Sequence, residues 1–148
     1  MATFTNLTNY HRNKLLDFLF RGQPYTPPAT LYFAIFTTAA TDETPGDEPA
    51  DSVYHRAAIT CSLSTFSGTD NSTSTDVSEG TGDTIYNIAT ILWPDPANDW
   101  GVITHWGIFD ALTGGHYLYW GEFSTSREII VGDSGVRFAP GTLPITLN

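Results

Sequence analysis

Apolar residues recur at helical spacing in one place only, near the start of the chain. Tyr10, Leu15, Leu16, Phe18, Leu19 and Phe20 fall within "YHRNKLLDFLF". Leu15 with Leu19, and Leu16 with Phe20, are i,i+4 pairs on one broad apolar side. Asn6 or Thr8 can cap this segment by accepting from orphan backbone N–H groups. Gly22 suits the left-handed position past its end, and Pro24 prevents continuation. The spacing therefore predicts a short helix over 6–21. It is amphipathic and needs an apolar surface, supplied by its own sheet or by a neighbouring chain.

Beyond residue 30 the pattern shifts to period two and to β-branched and aromatic residues. "TLYFAIFTT" opens after Pro27-Pro28. "VYHRAAITCSLSTF", "TIYNIATILWP", "GVITHWGIFD", "HYLYWGEF", "SREIIVGDSGVRFAPG" and "LPITLN" follow, separated by glycine-, serine- and aspartate-rich turns. Pro144 suits an edge position in the last of these. This amounts to about seven or eight short strands with turns at sandwich-like spacing. No repeat or linker divides the chain. The expected fold is mainly β: a single β-sandwich or jelly-roll-like domain over 1–148, with an N-terminal helix at 6–21 and the sandwich over 30–148. Acidic loops are expected near 41–52 and 67–83.

The stretch "THWGIFDALTGGHYLYWGEF" concentrates the rings. Its glycine pair, Gly114-Gly115, predicts a hairpin turn. If Asp110 faces His116, then Ile108 faces Leu118 and Trp106 faces Trp120, all on one side. The other side carries His105, Gly107 and Phe109 opposite Gly121, Tyr119 and Tyr117. A slip of one residue would exchange the sides. Both sides are largely apolar, unlike a sheet with one wet face. Trp106, Ile108, Leu118 and Trp120 are expected in the core. Phe109, Tyr117 and Tyr119, with the helix residues Leu15, Leu16, Leu19 and Phe20, are expected to contact other chains. The competing reading of the rings is a platform for stacking sugars.

Charge narrows the partners. Sixteen acids against 6 bases give a net charge of −10. Nucleic acid would need a basic surface, and anionic lipid would repel this one. The acids gather in "TDETPGDEPADS" and "GTDNSTSTDVSEGTGD", which read as solvated loops. No stretch has the apolar length of a membrane-spanning helix, and the start lacks the order of a signal peptide. Maturation in the cytoplasm where the chain is made, with no membrane partner, is the expectation. Cys61 is the single cysteine. Its alternating apolar surroundings predict a small buried hydrophobe.

Candidate chemistry is sparse. His11, His55, His105 and His116 form no metal-ligand spacing, so no metal or other cofactor is expected. Asp110 and His116 can brace the hairpin turn, but no nucleophile with an activating context accompanies them. The second acidic loop lacks EF-hand spacing. "GTGD" and "VGDSG" adjoin no strand–helix unit that would cradle phosphate. Arg56, Arg127 and Arg137 stand alone in strand-like segments, where they suit subunit interfaces and the acidic loops of a neighbour. An enzyme is not expected.

Several stretches resemble a family of small tailed-bacteriophage virion proteins, labelled tail-fibre or head-decoration proteins. The matching pieces are "LYFAIFTTAATD", "YHRAAIT", "VITHWGIFDALTGGHYLYWGEF" and "VGDSGVRFAPGTLPITLN". The resemblance covers most of the chain beyond Gly22. It implies a structural virion component without enzyme activity. The first expectation is a capsid cement or decoration protein on the outer capsid surface, a homotrimer clamping the major capsid protein. The alternative is a tail-fibre or receptor-binding component, engaging a host surface and its glycans.

Overall fold

The computed structural model describes residues 2–147, with side chains from Asn6 onward. The outer limits of the expected 1–148 domain, Met1 and Asn148, lie outside the described residues. The elements run β1 (Ala2–Leu7), α1 (Asn9–Phe20), β2 (Thr30–Phe36), β3 (Ala57–Thr60), β4 (Thr84–Tyr86) and β5 (Ile91–Leu92). They continue with β6 (Gly101–Phe109), β7 (Tyr117–Ile129), β8 (Arg137–Phe138) and β9 (Pro144–Thr146). Five strands form an antiparallel sheet in the order β1-β7-β6-β2-β3. Two short ribbons, β4-β9 and β5-β8, stand apart from it. The chain is mainly β with one short helix. The sheets are not closed on one another as a jelly roll would require.

The hairpin of β6 and β7 is the centre of the sheet. Gly114 and Gly115 both take positive φ, 59° and 75°, which a side chain would strain. Asp110 holds the turn closed. One carboxylate oxygen accepts from the His116 N–H at 2.6 Å, and the other meets His116 Nδ1 at 2.8 Å. Phe109 pairs with Tyr117 as the sequence predicts. The next pair is Ile108 with Tyr119, so β7 carries one extra residue at Leu118. Such a bulge lets two successive residues turn to one side. Leu118 and Tyr119 accordingly join Trp106 and Ile108 in the main core, at 7% exposure or less.

The bulge corrects the expected register. Trp106 faces Gly121 and Gly107 faces Trp120. Trp120 therefore lies on the other side of the sheet from Trp106, half-buried beside Ala34, Phe36, Phe109 and Tyr117. Tyr119 takes the inward place that alternation alone assigns to Trp120.

The main core joins the sheet to the ribbons. Phe33, Ile35, Ile103 and Trp106 meet Ile91, Trp93, Phe138, Leu143 and Ile145. The Trp93 indole N–H donates to the Phe33 carbonyl at 3.0 Å, which satisfies its one polar group in the core. "TIYNIATILWP" does not run as one strand. Asn87, fully buried, breaks it between β4 and β5. Its Nδ2 donates to the carbonyls of Ala89 and Ala139, each at 2.9 Å, while its Oδ1 accepts from the Leu143 N–H at 2.9 Å. The side chain thus takes bonds that a continuous ladder would have used, and β4 and β5 diverge to separate partners.

β1 is an element the pattern did not predict. It adds to the outer edge of β7, with Asn6 opposite Trp120 and Leu7 opposite Tyr119. Thr8 then turns the chain from strand to helix. Its hydroxyl accepts from the His11 N–H at 3.3 Å and donates to the Tyr117 carbonyl at 2.6 Å. The second bond pins the start of α1 to β7. At the other end Gly22 takes φ 67°, as its position predicts. The Gln23 N–H reaches back to the Asp17 carbonyl.

Candidate assembly surfaces

The first acidic loop is part of the fold and covers the second face of the sheet. Gly46 lies so close to Phe36 and the Thr38 carbonyl that a Cβ there would overlap both. Glu48 forms a two-pronged pair with Arg56, Oε1 to Nε at 3.1 Å and Oε2 to Nη2 at 2.9 Å. Arg56 Nη1 donates to the carbonyls of Ala111 and Gly114 at 2.9 and 2.8 Å. Its guanidinium lies 3.6 Å from the Phe109 ring centre, a cation–π contact. Burial and the neighbouring Glu48 push the Tyr54 phenol pKa up, so that its OH donates to Glu48 at 2.8 Å. Arg56 is therefore paired within its own chain, not with a neighbour's loop. Arg127 and Arg137 are exposed.

Two further acids of this loop bind indoles. Asp42 accepts from Trp120 Nε1 at 2.9 Å and from Arg12 Nη1 at 2.7 Å. Those two donors hold its carboxyl below the usual range. Asp51 accepts from Trp100 Nε1 at 2.7 Å and from the N–H groups of Ala97 and Asn98. Desolvation raises its pKa, but the Trp100 indole and the backbone donors outweigh it and hold the group at about 2.

This arrangement decides where the expected contact residues fall. Phe109, Tyr117 and Tyr119 are 5%, 8% and 7% exposed in the single chain. Phe109 and Tyr117 pack with Phe36 under the acidic loop, and Tyr119 belongs to the main core. The chain itself therefore covers these three rings. The first acidic loop lies over Phe109 and Tyr117, on the face that alternation alone leaves open, and the bulge at Leu118 turns Tyr119 into the main core.

The helix behaves differently. No residue of α1 is buried. Leu15 and Tyr10 rest against the core, and Tyr10 stacks on His116 at 4.3 Å between ring centres. Leu16, Leu19 and Phe20 are 53%, 65% and 78% exposed. They form an apolar row on the outer side of α1, continuous in spacing with Leu15.

Under α1 lies a half-open cavity of about 490 Å³. Leu15, Tyr25, Leu31, Phe66, Ile145 and Leu147 are among its lining, which is almost wholly apolar. His11 enters it from the helix. Its Nε2 meets the Tyr25 hydroxyl at 3.0 Å, while Nδ1 is buried without a hydrogen-bond partner in the chain. Burial lowers the His11 pKa and raises that of Tyr119 to about 12, so both are neutral at pH 7. Cys61 lines the same cavity and is exposed, against the expectation of burial. β3 ends at Thr60, so the alternation that would have turned Cys61 inward has already stopped.

The cavity was not legible in the residue pattern. Pro27 and Pro28 read only as the lead into a strand, and Ile145 as a terminal strand residue. The one available signal is that "PYTPP" directly follows a helix with more apolar residues than one face can hide.

A chain with its rings turned inward and its one helix turning leucine and phenylalanine outward has the build of an assembly component. Among the described residues no group of His, Cys, Asp and Glu could hold a metal ion, and no helix is long and apolar enough to cross a membrane. The family model of podophage GP4 fiber I protein gp80 matches residues 6–146, and the chain belongs to that family. It is thus a fibre-type structural protein of a phage virion and not an enzyme. No curated protein matches the chain.

Proposed function

We propose that this protein is a structural component of a podophage tail fibre, held in place by its helix. The family match over residues 6–146 carries this reading. The burial of Trp106, Phe109, Tyr117 and Tyr119 supports it, since these rings stabilise the domain and do not form a sugar-stacking platform. The exposed row Leu16, Leu19 and Phe20 supplies the attachment. Partner contacts of this kind concentrate energy in a few apolar anchors.

Antibody-gold labelling and cryo-electron microscopy of intact particles test the assignment. Label on the tail fibres at low copy number is the expected result. Label spread over the head shell at high copy number would overturn it in favour of capsid decoration. Particles carrying Leu16→Asp are expected to lose the protein, while the purified variant keeps the circular dichroism spectrum of the wild type.

A further inference from the structure

We infer that the cavity under α1 receives the outer apolar row of α1 from a second copy of the same chain. The inference deepens the fibre reading and rests on it for the biological setting. Two surfaces of one molecule complement each other. The donor is Leu16, Leu19 and Phe20, exposed and uncovered by the chain. The acceptor is a half-open apolar cavity of about 490 Å³. That volume lies inside the ~300–1,000 Å³ range of pockets that enclose a bound group.

Charge selects the occupant. α1 and its cap carry Arg12, Lys14 and Arg21 against Asp17, half of the 6 bases in a chain of net charge −10. Arg12 and Arg21 already pair with Asp42 and Asp17, and Lys14 has no ion pair among the described residues. Asp83, the one carboxylate among the described lining residues of the cavity, carries the opposite sign. Asp70, Asp76 and Glu79 lie in the same exposed loop. Among the described residues none of these four acids has an ion-pair partner. A basic, apolar helix entering an apolar cavity edged by Asp83 and its acidic loop satisfies both surfaces.

The two surfaces differ, so two copies can exchange helices reciprocally as a closed pair or join head to tail. In the head-to-tail arrangement each copy gives a helix to one neighbour and a cavity to another, which propagates as a ring or a filament.

Sedimentation velocity over a concentration series tests this with three proteins. Wild type is expected to associate, less so at high salt because the rim charges are screened. Phe20→Asp removes the donor and Cys61→Trp obstructs the acceptor. Each alone is expected to lose at least about 30-fold in association constant, as for a hot-spot residue. Mixed in equal amounts they retain one working pair of surfaces, and are expected to form a dimer and nothing larger. Should Cys61→Trp not fold, maleimide labelling of Cys61 in the wild type replaces it: the rate is expected to fall as protein concentration rises. A wild type that stays monomeric, a Phe20→Asp variant that associates normally, a monomeric mixture or a concentration-independent labelling rate would each overturn the inference. A monomer found in the fibre sinks this contact and leaves the fibre reading intact. A self-associating chain absent from the fibre does the reverse.

Discussion

The two acidic loops have similar composition and opposite fates. In the first, Asp42, Glu48 and Asp51 each meet a fixed donor: the Trp120 indole, the Arg56 guanidinium and the Trp100 indole. In the second, Asp70, Asp76, Glu79 and Asp83 are exposed and form no ion pair among the described residues. The difference does not lie in the acids. It lies in whether the fold beside them offers a buried or half-buried N–H donor within reach. A carboxylate that satisfies such a donor becomes part of the fold, because leaving the donor unpaired costs more than ordering the loop. A carboxylate facing water stays free for another molecule.

The largest break in this comparison is at Arg56. Arg56→Met is expected to destabilise the protein by about 3 kcal/mol in urea unfolding. That is the low end for splitting a buried pair, because Glu48 keeps 27% exposure of its side chain. The same change frees the carbonyls of Ala111 and Gly114, so the hairpin turn should exchange its amide protons faster.

A smaller effect comes from Asp51. Its pKa is depressed in the folded chain, so its contribution is fully present above the unfolded value of about 3.9. That contribution is lost as pH falls through about 2. The thermal midpoint of the wild type should therefore drop across this window. Asp51→Asn should drop less, because its amide no longer titrates.

The smallest effect belongs to the second loop. Asp70→Asn, Asp76→Asn and Glu79→Gln together should change stability by less than about 0.5 kcal/mol. A cost like that of Arg56→Met would erase the contrast between the loops.

Much of the scaffold was legible in the residues, and the failures have definite causes. The helix showed itself by its i,i+4 pairs, its threonine cap and Gly22. The hairpin showed itself by Gly114-Gly115 and by Asp110 facing His116. Alternation then assumed one residue against one residue along the ribbon. The extra residue at Leu118 has no composition of its own, and it sent Trp120 to the outer face and Tyr119 inward. β1 was missed because "ATFTNL" is short, polar in alternate places and joined to a helix. As an edge strand it owes its existence to β7. Arg56 looked solitary because its partners, Glu48 and the turn carbonyls, are separated from it in sequence and meet it only through the sheet. The outward helix row was visible as a surplus of apolar residues, and the cavity beneath it was not, since its walls come from distant segments.

The Thr8 hydroxyl bonds a carbonyl 109 residues further along the chain. The outermost strand and the helix therefore have nothing to dock on until the central hairpin exists. Closing so long a loop is slow compared with forming a local turn. During refolding, protection should appear first in the hairpin amides and last at the amino-terminal edge. The helix proposed for docking is then also the part completed last, and a half-folded copy presents no finished surface on which to build.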